Sequence, residues 1–290
     1  MKNTAPNLSK HSLTHNMQRG IIYALLIGGT VVIMIPIFWM LSTSFKPIME
    51  VFAVPPTLIE IPPEIGNYQE ALFGYSPSFA VFIKNTFIIE ALALPGIVLT
   101  SALAGYSFAR LRWPGRNIVF GLLLATLMLP AAVTLVPVFI GWARLGAIDT
   151  FAPLIVPGWF GGGVFNIFLF RQFFLTIPRE LEDAAKIDGA GHFRIFWTIM
   201  LPLVKPALAV VSIFTFIGIW NDFFGPVIYL NSNANYTVSL GLALFKTQYL
   251  TKWNLMMAAT VISIIPLIAL FIIFQKQIIE GANITAGLKG

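Results

Sequence analysis

Apolar residues in this chain come in long runs, and its polar residues gather between them. A helix that crosses a bilayer needs about 20 mostly apolar residues to traverse about 30 Å of hydrocarbon. Six stretches meet that requirement, at about 21–44, 82–107, 117–141, 151–175, 206–230 and 255–275. The pattern predicts an all-α polytopic membrane protein with six transmembrane helices. Pro36, Pro95, Pro130, Pro137, Pro157, Pro226 and Pro266 fall inside the predicted spans. In a bundle the backbone groups they free find partners on neighbouring helices. Gly161-Gly162-Gly163, in the fourth span, predicts a close backbone approach or a bend. The first run is too long for a cleavable leader. We read residues 1–20 as a cytoplasmic N-terminal segment and 21–290 as a single transmembrane domain.

Composition narrows the class. Hydrophobic residues make up 57% of the chain and charged residues 10%, against roughly 45–50% and about 25% in a soluble domain. That excludes a water-soluble enzyme built on one core, and equally a disordered chain. There is no Cys, hence no thiol nucleophile and no thiolate metal site. His11, His15 and His192 are too few and scattered for a His-based metal site. The formal charge of +6 reads as membrane topology rather than nucleic-acid binding. With both termini cytoplasmic, 13 of the 18 Lys and Arg fall in inside segments and 5 outside. The bias supports an N-in, C-in orientation. Arg110, Arg112 and Arg116 share one tight inside turn and carry much of it.

Two outside connections are long enough to fold on the surface. The first, about 45–81, contains Pro55-Pro56, Pro62-Pro63 and four Glu; the second, about 231–254, contains Asn231, Asn233, Asn235 and four aromatics, Tyr236, Phe245, Tyr249 and Trp253. Each fits a plain loop or a docking surface for an external partner.

Residues 176–205 form the longest cytoplasmic connection, and their signals read helix–turn–helix. Pro178 suits a first helical turn, and Glu180, Glu182 and Asp183 complement the N-terminal dipole. Gly189 stands where a helix stops in the left-handed conformation. A second, apolar helix runs from about His192 to Met200, limited by Pro202 and Pro206. On the first helix Ile177, Leu181 and Ala184/Ala185 share a face at spacings of three and four. Arg179, Glu182 or Asp183, and Lys186 take the opposite face. Such a helix fits a protein contact or an interfacial position on lipid.

The same segment resembles the cytoplasmic loop of importer permeases of the ATP-binding-cassette (ABC) type. That loop reads Glu-Ala-Ala, three residues, Gly, nine residues, Ile, one residue, Leu-Pro. This chain has Asp183-Ala184-Ala185, then Gly189, Ile199 and Leu201-Pro202, with the same spacing throughout and Asp in place of the leading Glu. The resemblance extends over almost the whole chain and is closest to the carbohydrate branch, the maltose-type (MalG-like) permeases. Ser44-Phe45-Lys46-Pro47, Asn67-Tyr68, the block from Tyr106 to Leu111, Trp220-Asn221-Asp222 and the tail Gly287-Leu288-Lys289-Gly290 are similar to that branch. The resemblance implies a MetI-like permease fold, with a coupling helix between the fourth and fifth spans. It implies a binding-protein-dependent importer in a bacterial or archaeal plasma (inner) membrane. The partners would be a second permease subunit, two cytoplasmic ATP-binding subunits and an extracytoplasmic substrate-binding protein. Asp183, Ala184, Ala185, Gly189, Ile199, Leu201 and Pro202 would then meet the ATPase, which would bind the ATP. No nucleic acid enters this reading.

No phosphate-cradling Gly-x-x-x-x-Gly-Lys-[Ser/Thr] occurs, so no cofactor is expected in this chain and it is not itself an ATPase. A rival reading is an ion-coupled secondary transporter using Glu90 and Asp222, because acids inside spans mark ion pathways. A membrane enzyme would need converging reactive groups, and the spans hold no His and no Cys. Asn166, Asn221 and Asp222, with Trp159, Phe160, Phe214, Phe216 and Trp220, suit the faces and hydroxyls of a sugar. Trp220, Asn221, Asp222, Glu90 and Asn166 are therefore candidates either for the solute path or for a helix clamp. For Asp222 the clamp is the favoured role.

Overall fold

The computed structural model describes residues 8–247 and 252–287. Tyr249, Leu288, Lys289 and Gly290, named above, lie outside the described residues, as do residues 1–7 of the N-terminal segment. Among the described residues the chain is helical and has no strand. In order the helices are α1 Leu8–Ser44, α2 Gly66–Phe73, α3 Phe79–Arg110, α4 Arg116–Ala125, α5 Ala131–Arg144, α6 Ala152–Ile155, α7 Val164–Thr176, α8 Glu180–Ile187, α9 His192–Ile195, α10 Leu201–Leu203, α11 Lys205–Trp220, α12 Phe224–Tyr229, α13 Val238–Thr247 and α14 Trp253–Gly287. Among the described residues four helical segments are long and apolar enough to cross a bilayer, and six if each of two bent pairs is one crossing.

The bent pairs are where the predicted spans needed correcting. The third span is not one helix over 117–141: α4 and α5 meet at 101° across Leu129-Pro130. Pro130 lacks an N–H, and the residue before a proline is pushed out of the α region; Leu129 is extended at φ −79°, ψ 120°. The fourth span is interrupted by a 3-10 turn, Val156–Phe160, and by Gly161, Gly162 and Gly163, all at positive φ. The fifth ends at Trp220 rather than continuing to 230, and α12 is a separate short helix. Pro36, Pro95, Pro137 and Pro266, by contrast, are carried inside continuous helices.

The central helix is α3, against which α7, α11, α13 and the Val156–Phe160 turn all pack. Two buried clusters stack along it. At the Arg110 end Tyr106, Phe170, Phe174, Ile195, Phe196 and Met200 pack together. At the Phe79 end Phe79, Phe82, Trp220, Phe245 and Leu255 do so. The edge helix α1 packs on α14, and its residues 18–39 are otherwise exposed. A helix apolar all round and uncovered by protein belongs in lipid or against another apolar chain.

The first outer connection is tied down by the blocks Ser44–Pro47 and Asn67-Tyr68. Asn67 donates to the carbonyls of Ser44 and Lys46 at 3.0 and 2.9 Å and accepts from Asn254 at 2.9 Å. Tyr68 OH meets Ser44 Oγ at 2.7 Å. The buried Lys46 reaches the Thr57 carbonyl and the ring of Trp39. Lys252 pairs with Glu70 at 2.7 Å. These blocks knot the end of α1 and α2 to the start of α14.

Candidate functional site

α8 is built largely as its local sequence predicts. Glu180, Glu182 and Asp183 occupy its first turn and Lys186 its last. It ends in a Schellman turn, in which Gly189 N–H donates to Lys186 O at 3.0 Å and Ala190 N–H to Ala185 O at 2.9 Å. Gly189 has φ +81°, a conformation that glycine adopts without a Cβ penalty. After the turn, Ala190, Ile199 and Leu201 pack against the Arg110-end cluster, while Pro202 is exposed. Between α9 and α10 the helix widens into a π turn, Phe196–Met200, and the chain then bends by 79° into α11.

The faces of α8 differ from the prediction. Leu181 and Ala184 do face outward together, joined by Ile187. Ile177 and Ala185, predicted to share that face, pack inward instead. Of Glu182 and Asp183, the alternatives for the polar face, Glu182 is buried, whereas Asp183 is exposed and pairs with Lys186 at 3.1 Å. The cause is Arg110, the last residue of α3. Its Nε lies 3.3 Å from Glu182 Oε1, with side-chain exposures of 3% and 6%; the contact is ionic, its angle outside hydrogen-bond geometry. The same guanidinium donates through Nη2 to the carbonyls of Phe174 and Ile177. Phe174 is in the last turn of α7, whose carbonyls have no partner within the helix, and a cation there also complements the helix dipole. One side chain thus joins α3, the end of α7 and α8. The sequence reading used Arg110 only as a topology marker, because nothing local pairs residues 67 positions apart.

The candidates at the other end do not form one cluster. Trp220 is buried, donates to Ser263 O at 3.1 Å and stacks on Phe216 at 5.7 Å, with Phe87 against it at 5.0 Å. It packs α11 against α3 and α14. Asn221 is exposed and donates to Ile217 O at 2.8 Å. Asp222 lies in the break after α11, where Oδ1 accepts from Gly225 N–H at 3.1 Å and so caps α12. Asn166 donates to Gly162 O at 2.9 Å, within the glycine-rich entry to α7. Glu90 is buried in α3, and neither carboxyl oxygen has a hydrogen-bond partner among the described residues. Among the described residues no three His, Cys, Asp or Glu stand together as metal ligands.

A clasp that the sequence did not suggest closes the outer end. Asp149, between α5 and α6, has φ +62°. Its carboxylate accepts from the N–H groups of Asn231 and Ser232 at 2.9 and 2.8 Å and from the Ser232 hydroxyl. Its carbonyl accepts from Asn235 at 2.7 Å. The Ser232 hydroxyl, then the Ser232 and Asn231 amides, hold its carboxyl well below the usual carboxylate range. A carboxyl depressed in the folded state stabilises it above the unfolded pKa, about 3.9, and loses that contribution as pH falls through the folded value. Asn tolerates the left-handed region, so Asp149→Asn isolates the charge. We expect the variant to be less stable by about 1 kcal/mol at pH 7. The gap between the two melting curves should hold above about pH 4, narrow as pH falls below the unfolded value, and close only below the depressed folded value; a gap independent of pH would mean that the charge does not matter.

The description of the family model that matches residues 96–281 is binding-protein-dependent transport system inner membrane component. The arabinooligosaccharides transport system permease protein AraQ of Bacillus subtilis (strain 168) is 34% identical over 258 residues, 88% of this chain and 90% of that one. The sn-glycerol-3-phosphate transport system permease protein UgpE of Yersinia enterocolitica serotype O:8 is 34% identical over 265 residues, 89% and 94% of the two chains. A chain of a bacterial ABC transporter involved in the import of the acidic polysaccharide alginate has the same fold, with a TM-score of 0.77, 23% identity, and coverage of 95% of this chain and 99% of that one. The all-helical, MetI-like permease architecture follows from that likeness, and the relatives remove the support for an ion-coupled secondary carrier. Identity at this level over most of both chains, with the family model running from the middle of α3 into α14, makes this chain a member of the binding-protein-dependent transport system inner membrane component family.

Proposed function

We propose that this chain is one of two permease subunits of an ATP-driven importer for a sugar, oligosaccharide or related solute. The loop 176–205 then faces the cytoplasm and receives the motion of the ATP-binding subunits. The observation that carries the reading is the division of α8 into two faces. Glu182 and Ala185 are held against the transmembrane core, while Leu181, Ala184 and Ile187 stand outward on one side. That arrangement suits an apolar ridge seated in a cleft of a partner, with a rigid back to pass the push to α3. The excess of Lys and Arg at this end supports the cytoplasmic side.

The solute class rests on the relatives, whose names include arabinooligosaccharides, diacetylchitobiose and sn-glycerol-3-phosphate. The second permease would cover the exposed apolar surface of this one and complete the pathway near Glu90, Asn166 and Asn221. An extracytoplasmic binding protein would dock on the outer connections, where Met49, Phe52, Val54 and Ile61 are exposed. The inner membrane of a bacterium or archaeon fits this assembly.

Gly189→Val tests the coupling role. Open space surrounds the glycine, with no heavy atom within 4 Å of an added Cβ, so the substitution acts through φ and not through a clash. A β-branched residue at φ +81° is strained by about 1–3 kcal/mol. Uptake is expected to fall at least tenfold, and the ATP-binding subunits should co-purify less well, while the amount of chain in the membrane changes little. Normal uptake by the variant would remove α8 from the coupling path.

A further inference from the structure

We propose that the cationic cavities beside α8 bind the phosphate headgroup of an anionic phospholipid, with its acyl chain lying along α4. Two cavities, of about 390 and 610 Å³, adjoin at the turn between α3 and α4, and Arg112 lines both. The smaller also has Arg110, Arg179, Lys186 and His192 in its wall, with Glu182 and Asp183. Those charges are not equivalent. Arg110 is engaged by Glu182 and two carbonyls, and Lys186 by Asp183 and Glu182. The two acids are thereby neutralised. Arg112 and Arg179 have no polar side-chain partner among the described residues, so two uncommitted guanidiniums line one cavity.

What favours a lipid over a soluble anion is the surface next to these charges. Gly115, at φ +80°, turns the chain into α4, where Ile118 and Leu122 are 71% and 65% exposed. They are four residues apart and share one helix face, running away from Arg112 and Arg116. Trp113 stands at the same level, its indole donating to Ser107 Oγ at 3.2 Å and its ring against Phe108 at 5.7 Å, the position in which tryptophan marks a membrane interface. Guanidiniums above an apolar track match an amphiphile with a phosphate head. Guanidinium is also the side chain best shaped for phosphate oxygens. Basic pockets at the cytoplasmic ends of spans bind such headgroups. A bound phosphate bridging Arg112 and Arg179 would link the α3–α4 turn to the N-terminus of α8. The inference rests on the reading that this end is cytoplasmic.

The test is lipid retention by the full transport complex, read by native mass spectrometry after delipidation in mild detergent and exposure to phosphatidylglycerol, phosphatidylcholine or inorganic phosphate. Phosphatidylglycerol should be retained at least tenfold over phosphatidylcholine, and millimolar inorganic phosphate should not displace it. Arg112→Gln with Arg179→Gln should reduce retention at least fivefold, while Arg112→Lys with Arg179→Lys keeps most of it and reports that the fold is intact. Ile118→Ser should lower retention of the lipid with no effect on phosphate binding. Unchanged retention in the double Gln variant would overturn the proposal. Binding of inorganic phosphate alone with equal dependence on both arginines would overturn it in favour of a soluble anion. Loss of the ATP-binding subunits from the Gln variant with lipid retention intact would overturn it in favour of a protein contact. Retention is read without transport, so failure here is distinguishable from failure of the coupling role, which the Gly189→Val uptake measurement addresses.

Discussion

Replacing Arg110 by Met is expected to destabilise the protein by about 3–5 kcal/mol and to abolish coupled transport. The magnitude is that of removing one partner from a buried ion pair, which leaves the other charge uncompensated. The charge left behind is Glu182, whose side chain is 6% exposed and keeps only the more distant, half-exposed Lys186 at 3.8 Å. The carbonyl of Ile177 loses its Arg110 donor in the same step, and that of Phe174 is left with the Ile177 N–H at 3.3 Å alone. A second substitution separates stability from mechanism. Replacing both members of a buried pair by apolar residues is often neutral or stabilising. Arg110→Met with Glu182→Leu should therefore recover much of the lost stability, short of what the two carbonyls contribute. It should not recover uptake, because α8 would then lean on α3 through a deformable contact rather than a fixed ion pair. The measurements are the unfolding midpoint in detergent and the ratio of solute moved to ATP hydrolysed in the reconstituted importer. A double variant with normal coupling would reduce the ion pair to a device for folding alone.

Gly162→Ala is expected to cost about 3 kcal/mol or more, and to lower the amount of folded chain in the membrane accordingly. Two terms add. Gly162 has φ +56°, a left-handed backbone that costs a residue with Cβ about 1–2 kcal/mol. An added Cβ would also lie 2.1 Å from Ser101 Oγ and 2.2 Å from the Ile97 carbonyl of α3. A backbone carbonyl inside a helix cannot swing aside, so the loop and α3 must separate, and overpacking costs typically about 1–3 kcal/mol. The interface is built from mutual small residues: a Cβ on Gly96 would meet the Trp159 ring at 2.6 Å, and one on Gly158 would meet Ile97 at 2.7 Å. Gly146 supplies the internal control. It has φ +65°, in the same left-handed region, and nothing within 4 Å, so Gly146→Ala carries the backbone cost only and should be milder. Equal melting temperatures and yields for the two variants would show that close approach to α3 is not what Gly162 provides.

The two substitutions mark the boundary of what was legible in the chain. Gly161-Gly162-Gly163 announced a bend or a close approach, and the structure contains both, but the sequence did not say which glycine touches α3. The turn at Gly189 was read correctly because a Schellman turn is local chemistry: a helix, its dipole and one residue free of Cβ. The choice between Glu182 and Asp183 for the polar face stayed open because helical periodicity ranks residues by polarity, and a charged side chain goes inward only when something distant neutralises it. Asp222 looked like an acid within a continuous span. The helix stops at Trp220, two residues before it, and the carboxylate accepts from the Gly225 N–H in the first turn of the next short helix.

The sequence by itself determined the membrane class, the spacing of the 183–202 motif and six apolar runs, though not where the helices within them break, because each depends on neighbours along the chain. An apolar run long enough for the hydrocarbon is a one-dimensional property, at 1.5 Å of rise per residue. Tertiary structure alone decided which carboxylate of α8 is buried, that Asp149 clasps Ser232 from 83 residues away, that Trp220 packs inward, and that two arginines beside α8 have no polar side-chain partner among the described residues. Each of these turns on through-space distances of a few ångströms between segments far apart in the chain. Electrostatic and packing energies at that range are steep functions of separation, and they leave no periodic trace in the order of the residues.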